Sequence, residues 1–405
     1  MWPIYIFIWL QTNWTIWAVA ILLLFSSGCT YQQTIREKYP VWGNSFDLHS
    51  EGQKTPLHMQ LLETVPPGKA QACLLIIHGM NEYIGRYGSI AREFADKYIV
   101  AGIDLAGHGL SNPVLRSAHQ SIVSGKNTYD ARDAYLEQVN LRNLQPMRKN
   151  LAQALQFLSK KCDEISTGKP LPIFILSHSL GSLVTASYML QIKNEPVSTR
   201  VKGIIFTGPA FSVTDVPGWR GWLQNPLVRF SFHTHQHFLT PHNEPLPIML
   251  LNQLLALITV PLQDGIIELL SLPGTRNLFS PTTPVWVEDY LQDWEEERIR
   301  HRADNYIIRR SILRYVLGVE KEIIQFRQQM GQFKKPYLLI YSENDPITPA
   351  WGNIDFAAAT RQHHKDNAIL PLRDKSHHEQ LFSEPVLRGK ILKAIRHWLR
   401  QRIQS

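Results

Sequence analysis

The sequence predicts an α/β fold: a mostly parallel central sheet, flanking helices and a long helical cap insertion. Three observations carry this. Continuous apolar runs such as Ala72–Ile77 and Tyr98–Ile103 suit strands buried on both faces. Helix-like segments separate these runs, and strands that alternate with helices pair in parallel through crossovers. Each run stops abruptly in small and polar residues, and parallel sheets build their sites at those carboxyl ends. Composition agrees, since 44% hydrophobic and 19% charged residues in a chain of 405 exclude disorder and allow a large domain plus a second unit.

In chain order, residues 1–25 are nearly all apolar, and no charged side chain precedes Arg36. The run meets Ser26-Ser27-Gly28-Cys29, small residues that end a secretory signal. A cysteine there resembles the lipobox of bacterial lipoproteins, which implies lipidation of Cys29 and a place in the cell envelope. Ser26 stands where leucine is usual, and the segment lacks a basic start. The competing reading is an uncleaved membrane anchor, because about 20 apolar residues span a bilayer. Arg36 and Lys38 would then hold the globular part on the cytoplasmic side. Both readings associate the protein with a membrane.

Strands are expected over residues 46–49, 56–64, 72–77 and 98–103, with a turn at Pro66-Pro67-Gly68 and a helix over 87–97. The third strand ends in His78-Gly79-Met80-Asn81-Glu82 and the fourth in Asp104-Leu105-Ala106-Gly107-His108-Gly109. After a helix over 147–161, the strand around Phe174-Ile175-Leu176 turns sharply at Ser177-His178-Ser179-Leu180-Gly181 into another helix. Such a turn lifts a serine hydroxyl clear of both elements, and small flanking residues let the two backbones approach. The usual pattern is G-x-S-x-G, and here the first glycine is Ser177. A strand over 335–341 leads to Ser342-Glu343-Asn344-Asp345-Pro346, and one over 368–372 leads to Asp374-Lys375-Ser376-His377-His378-Glu379. The last helix, 384–402, sets Leu387, Ile391, Ile395 and Trp398 on one face and basic residues on the other.

Together, His78-Gly79 with Glu82 and Arg86-Tyr87, the Asp104 to Ser111 turn and the Ser179 elbow resemble the α/β-hydrolase fold. Within it the chain is similar to the monoacylglycerol lipase and lysophospholipase group, also called the serine aminopeptidase family. The likeness spans residues 45–208 and 335–402. It implies a core over 40–210 and 334–405, a cap over 211–333, and a signal or anchor over 1–29. It implies Ser179 as nucleophile, His378 as base and Asp345 as the acid that orients it, in the order Ser, Asp, His. Glu343 competes with Asp345. The histidine-glutamate pattern selects His378 over His377 and marks Glu384 as a structural acid. The backbone N–H groups of Leu180 and Met80 would hold the developing oxyanion. His78 and His108 read as loop-shaping residues.

Lipid-like esters, monoacylglycerols or lysophospholipids, are the implied substrates. An aminopeptidase is the sibling reading, with Glu288, Asp289 or Asp293 to hold a substrate amine. A non-catalytic envelope protein that keeps the fold for binding is the third. The chemistry requires no cofactor. His233, His235 and His237, with His242 nearby, have a spacing that can bind zinc, yet no carboxylate or cysteine completes the set, so no metal is assigned. The net charge of +8 gathers near the C-terminus without the interleaved aromatics of a nucleic-acid binder. Cys73 and Cys162 read as inert core thiols. In the cap, residues 248–262 carry no charge and 294–310 read as a solvated, charged helix.

Overall fold

The computed structural model describes residues 39–404 except 50–54, 67, 118–138, 167–169, 193–195, 213–244, 273–274, 276–287, 305, 309–311, 374 and 376. Cys29 and the leader, and the histidines His233, His235, His237 and His242, therefore lie outside the described residues.

The strands are β1 (Asn44–Leu48), β2 (Leu57–Leu62), β3 (Ala72–Ile77), β4 (Tyr98–Ile103), β5 (Ile173–His178), β6 (Val201–Thr207), β7 (Tyr337–Ser342) and β8 (Ala368–Leu372). They form one sheet in the order β1-β2-β4-β3-β5-β6-β7-β8, antiparallel at β1/β2/β4 and parallel beyond. After β3 the chain crosses to β4 on one side and then to β5 on the other. That reversal opens a crevice at the carboxyl ends of β3 and β5, where parallel sheets place ligands.

The helices are α1 (Gly88–Arg92), α2 (Gln145–Ile165), α3 (Leu180–Gln191), α4 (Pro196–Arg200), α5 (Leu246–Leu270), α6 (Glu288–Leu291), α7 (Glu295–Ala303), α8 (Leu313–Gln329), α9 (Ala350–Thr360) and α10 (Pro385–Gln404). The helix expected at 87–97 is a 3-10 turn, Ile84–Tyr87, running into the short α1. α8, late in the 211–333 stretch, packs against α3 directly behind the elbow. α10 lays Trp398 on Gly203 of β6, where an added Cβ would sit 2.4 Å from the indole. Phe206, Phe211, Phe326, Phe333 and Phe356 fill the space between β6, α8 and α9 with rings 4.6–5.9 Å apart.

Two readings of the sequence need correction. Cys73 and Cys162 are not separate thiols: they form a disulfide between β3 and α2, with both residues fully buried. Closing a loop across 89 residues removes freedom from the unfolded chain, worth about 4 kcal/mol in the chain-entropy picture. The charged segment 294–310 is not a solvated helix. Among its described residues only α7 is helical, Glu297 and His301 are buried, and Tyr306, Ile307 and Ile308 enter the core. Their partners on the core side, chiefly Arg86, lie some 200 residues away in sequence.

Candidate active site

β5 ends at His178, α3 begins at Leu180, and Ser179 alone makes the turn. Its backbone has φ +49° and ψ −121°, a conformation that costs a non-glycine residue about 1–3 kcal/mol and persists only when its surroundings impose it. The Ser179 N–H donates to Thr207 O at 3.0 Å, while its carbonyl accepts the N–H groups of Ser182 and Ala210. Gly181 is required by proximity, because a Cβ there would lie 2.4 Å from His78 O and 2.8 Å from Ile77 O. Ser177, where the pattern has glycine, is accommodated: its hydroxyl donates to Ile205 O at 3.3 Å inside the sheet.

The structure brings Ser179, His378 and Asp345 together. Ser179 Oγ is 2.8 Å from His378 Nε2, and His378 Nδ1 is 2.8 Å from Asp345 Oδ2. All three are buried. Asp345 Oδ1 accepts the N–H groups of Ile347 and Thr348, and the Thr348 hydroxyl lies 2.9 Å from Oδ2 and 3.1 Å from His378 Nδ1. Nδ1 therefore carries the proton toward the carboxylate, which leaves Nε2 to accept from the serine. Burial disfavours a charged His378, but the Asp345 carboxylate outweighs it and raises the imidazole pKa above its ordinary value. Glu343, the competing acid, is exposed. His377 turns away, its Nδ1 3.8 Å from Asp293, which follows α6.

His78 and His108 shape loops as neutral rings. His78 Nδ1 donates to Gly79 O and Nε2 accepts the Leu105 N–H, while His108 Nδ1 donates to Ala106 O and Nε2 accepts the Asn81 N–H. Burial holds His78 well below its usual pKa, with His108 nearby adding to the effect, and pushes His108 down to about 4. These rings fix the 78–81 loop beside the nucleophile. A Cβ on Gly79 would be 2.9 Å from Ser179 Cβ. Met80 follows in that loop, and the Leu180 N–H, opening α3, has no acceptor within its own helix. Two backbone donors beside a serine can stabilise an oxyanion.

Behind the site lies a buried ionic cluster. Arg86 pairs with Glu82 at 2.7 Å, with both oxygens of Glu379 at 2.8 and 3.1 Å, and with Glu297 of α7 at 3.4 Å. Glu82 Oε1 accepts the Gly79 N–H at 2.5 Å and the Tyr87 hydroxyl at 2.9 Å. Burial pushes Glu82 up to about 7 against the pull of Arg86, while Glu379, equally buried, is held far below the usual range by that guanidinium. Glu379, not Glu384, is thus the buried acid of the histidine loop, and Glu384 is exposed. Thr348 and Glu379 carried no assigned role in the sequence, although Thr348 stands three residues after the acid and Glu379 directly after the base. Asp293 accepts the Glu384 N–H at 3.2 Å and faces His377, and the Glu288 and Asp289 side chains lie outside the described residues. Among the described residues no cluster of three or more His, Cys, Asp or Glu is arranged to hold a metal ion.

A serine on a strand-to-helix elbow, hydrogen-bonded to a histidine backed by an aspartate, on a sheet of this order, defines an α/β-hydrolase. The family model of the serine aminopeptidases, S33, matches residues 68–384, and the chain belongs to that family. No curated protein matches the chain. Among solved structures it resembles the monoacylglycerol lipase of Paleococcus ferrophilus (17% identity, TM-score 0.54, 85% of this chain and 99% of that one). It also resembles a soluble variant of monoglyceride lipase from Saccharomyces cerevisiae in complex with a substrate analogue (12%, TM-score 0.59, 90% and 99%). A third is a highly thermostable carboxyl esterase from Bacillus coagulans in complex with glycerol (14%, TM-score 0.55, 89% and 98%). At these identities the likeness is one of fold.

Proposed function

We propose that the protein is a membrane-associated serine hydrolase that cleaves carboxylic esters of lipid-like substrates, monoacylglycerols or lysophospholipids. The observation that carries this reading is the continuous relay Ser179 Oγ–His378–Asp345 with both links at 2.8 Å. His378 takes the serine proton as Oγ attacks the ester carbonyl. The Met80 and Leu180 N–H groups receive the oxyanion. His378 then returns the proton to the departing alcohol, leaving an acyl-serine that water attacks by the same route in reverse. Asp345 stabilises the imidazolium throughout.

The lipid-like substrate class rests on the cap and the leader. α5 is 25 residues long, long and apolar enough to cross a membrane, and mostly exposed. Leu254, Leu257, Ile258 and Leu262 are 58–73% exposed. Among the described residues its anchors lie in the C-terminal third: Ile267 and Leu270 against Leu313 and Leu317, and ion pairs from Asp264 to Lys321 and from Glu268 to Arg314. A helix with so much apolar surface suits the interface of a bilayer. The neighbouring lipases act on monoglycerides by name, and lipidation at Cys29 would tether the site in the envelope beside such substrates.

The test is fluorophosphonate labelling of the full chain in detergent, followed by a panel of monoacylglycerols, lysophospholipids and aminoacyl amides. Labelling that disappears in Ser179→Ala, with turnover of the esters, is the expected result. Turnover confined to the amides would replace the esterase reading with an aminopeptidase. A folded chain without labelling, in detergent and with lipid, would leave a binding protein.

Membrane contact through α5 is separable from the leader. A chain beginning at Tyr31, which lacks the leader, should still co-sediment with phosphatidylcholine vesicles. Leu254→Gln, Leu257→Gln and Ile258→Gln together should weaken that binding at least about a hundredfold, since each leucine-sized side chain withdrawn from lipid costs about 2 kcal/mol. Unchanged sedimentation of the triple variant would rule α5 out as the contact.

A further inference from the structure

The loop that carries His378 is held from the cap by backbone hydrogen bonds. The His378 N–H donates to Tyr290 O at 2.8 Å, and the next N–H, of Glu379, donates to Leu291 O at 2.8 Å. Gln292 continues the same cap segment, and its amide donates to Glu379 Oε2. Three consecutive cap residues therefore grip two consecutive residues of the catalytic loop. From the core side Arg86 grips Glu379 with both guanidinium arms and lies 4.4 Å over the Phe382 ring. The same guanidinium reaches Glu297 of the cap and Glu82, whose other oxygen holds the Gly79 N–H of the oxyanion loop.

We propose that Arg86 and the cap residues Tyr290 to Gln292 are positioning groups for His378, so that the base meets Ser179 only while the cap is seated on the core. The proposal rests on Ser179, His378 and Asp345 being the catalytic set. Its physical basis is the short chain of bonds between cap and base. Tyr290 O is one hydrogen bond from the His378 backbone, and a side chain whose Nε2 must stay 2.8 Å from Oγ tolerates little displacement of that backbone. A cavity of about 360 Å³, lined by Tyr83, Arg86, Trp294, Glu297 and His301 among others, opens between α7 and the core beside these contacts. Along α7 the seam is thus bonded at discrete points, while Tyr306 to Ile308 and α8 pack into the core. Arg86 faces three carboxylates, Glu82, Glu297 and Glu379, and so ties the oxyanion loop, the cap and the base loop to one buried cation. Because Arg86 touches the base loop, the oxyanion loop and the cap together, unseating the cap disturbs two catalytic elements at once.

The experiment measures hydrolysis of p-nitrophenyl acetate by the full chain in detergent. That ester is too small to depend on an acyl pocket, so it reports the base and the nucleophile. Gln292→Leu and Glu297→Gln are expected to lower kcat about tenfold and the rate of fluorophosphonate labelling in step, with KM within about threefold. Arg86→Met should lower kcat about a hundredfold or more, and Arg86→Lys should recover at least about tenfold of that loss. If Arg86→Met fails to fold, the two cap variants decide, since neither removes the buried cation. kcat within about twofold of the parent in both cap variants, or a loss seen in KM alone, would overturn the proposal. Ser179→Ala separates the two layers of the argument. Persistent labelling there overturns the catalytic assignment itself, whereas lost labelling alongside unaffected cap variants overturns only the role of the cap.

Discussion

Asp345→Asn should reduce kcat by about 10⁴, the loss that replacing the buried aspartate causes in the serine-protease template. The asparagine would fit the space, so the loss is chemical. Oδ1 already accepts two backbone N–H groups and the Thr348 hydroxyl lies on Oδ2. An amide group can satisfy these neighbours only by presenting N–H toward His378 Nδ1, which forces the ring proton onto Nε2, the atom that must accept from Ser179. A pH profile checks the same point. His378 works as the neutral base, and Asp345 raises its pKa above the ordinary 6.5, so kcat/KM should climb through a midpoint above pH 6.5. In the variant burial remains and the carboxylate is gone, so the midpoint of the residual activity should fall. Stability runs the other way. A raised folded-state pKa contributes stability that is full below the unfolded value and is lost as pH rises through the folded one. Activity thus appears over the window in which this contribution fades. An Asp345→Asn enzyme within tenfold of the parent would show that another group orients the base.

Gly181→Ala should abolish labelling and destabilise the fold by about 3 kcal/mol, the upper end for overpacking. The added methyl would meet two backbone oxygens, His78 O at 2.4 Å and Ile77 O at 2.8 Å. Neither can rotate away as a side chain can. α3 would have to withdraw from β3, carrying Leu180 and Ser179 away from the 78–81 loop that supplies the facing donor. Gly389→Ala in α10 is the control. Nothing lies within 4 Å of its added Cβ, and a helix-interior alanine should stabilise by about 0.5–1 kcal/mol. Thermal melts together with labelling rates distinguish them. A Gly181→Ala protein that melts and labels like the parent would mean that the elbow is looser than its contacts indicate.

Much of this architecture was legible because buried parallel strands cannot hide their composition. The strands read at 56–64, 72–77, 98–103, around 174–176, at 335–341 and at 368–372 stand where uninterrupted or alternating apolar runs place them, and Ser179, Asp345 and His378 beyond their carboxyl ends converge on the crevice. What escaped depends on contacts between distant segments. Nothing local marks Cys73 and Cys162 as partners, since they meet only once α2 has packed on β3. Glu297 and His301 sit in a charge-rich run that looks solvated, and a buried guanidinium from the far end of the chain turns it inward. The grip of Tyr290 and Leu291 on the histidine loop uses backbone carbonyls, which leave no trace in side-chain identity. Ser177 looked like a defect in the elbow, yet the Ile205 carbonyl gives its hydroxyl a partner.

The bond between Cys73 and Cys162 also bears on where this chain can mature. Both residues are at 0% exposure, so an oxidant cannot reach them once the sheet has closed. The sulfurs must be joined while β3 and α2 are still assembling, in a compartment where thiols are being oxidised. Cytosolic compartments keep thiols reduced, whereas envelope and secretory spaces do not. A core closed by this crosslink suits a compartment in which thiols are oxidised. The redox state of these two hidden sulfurs thus reads out the compartment in which the core closed, independent of how the N-terminus is held.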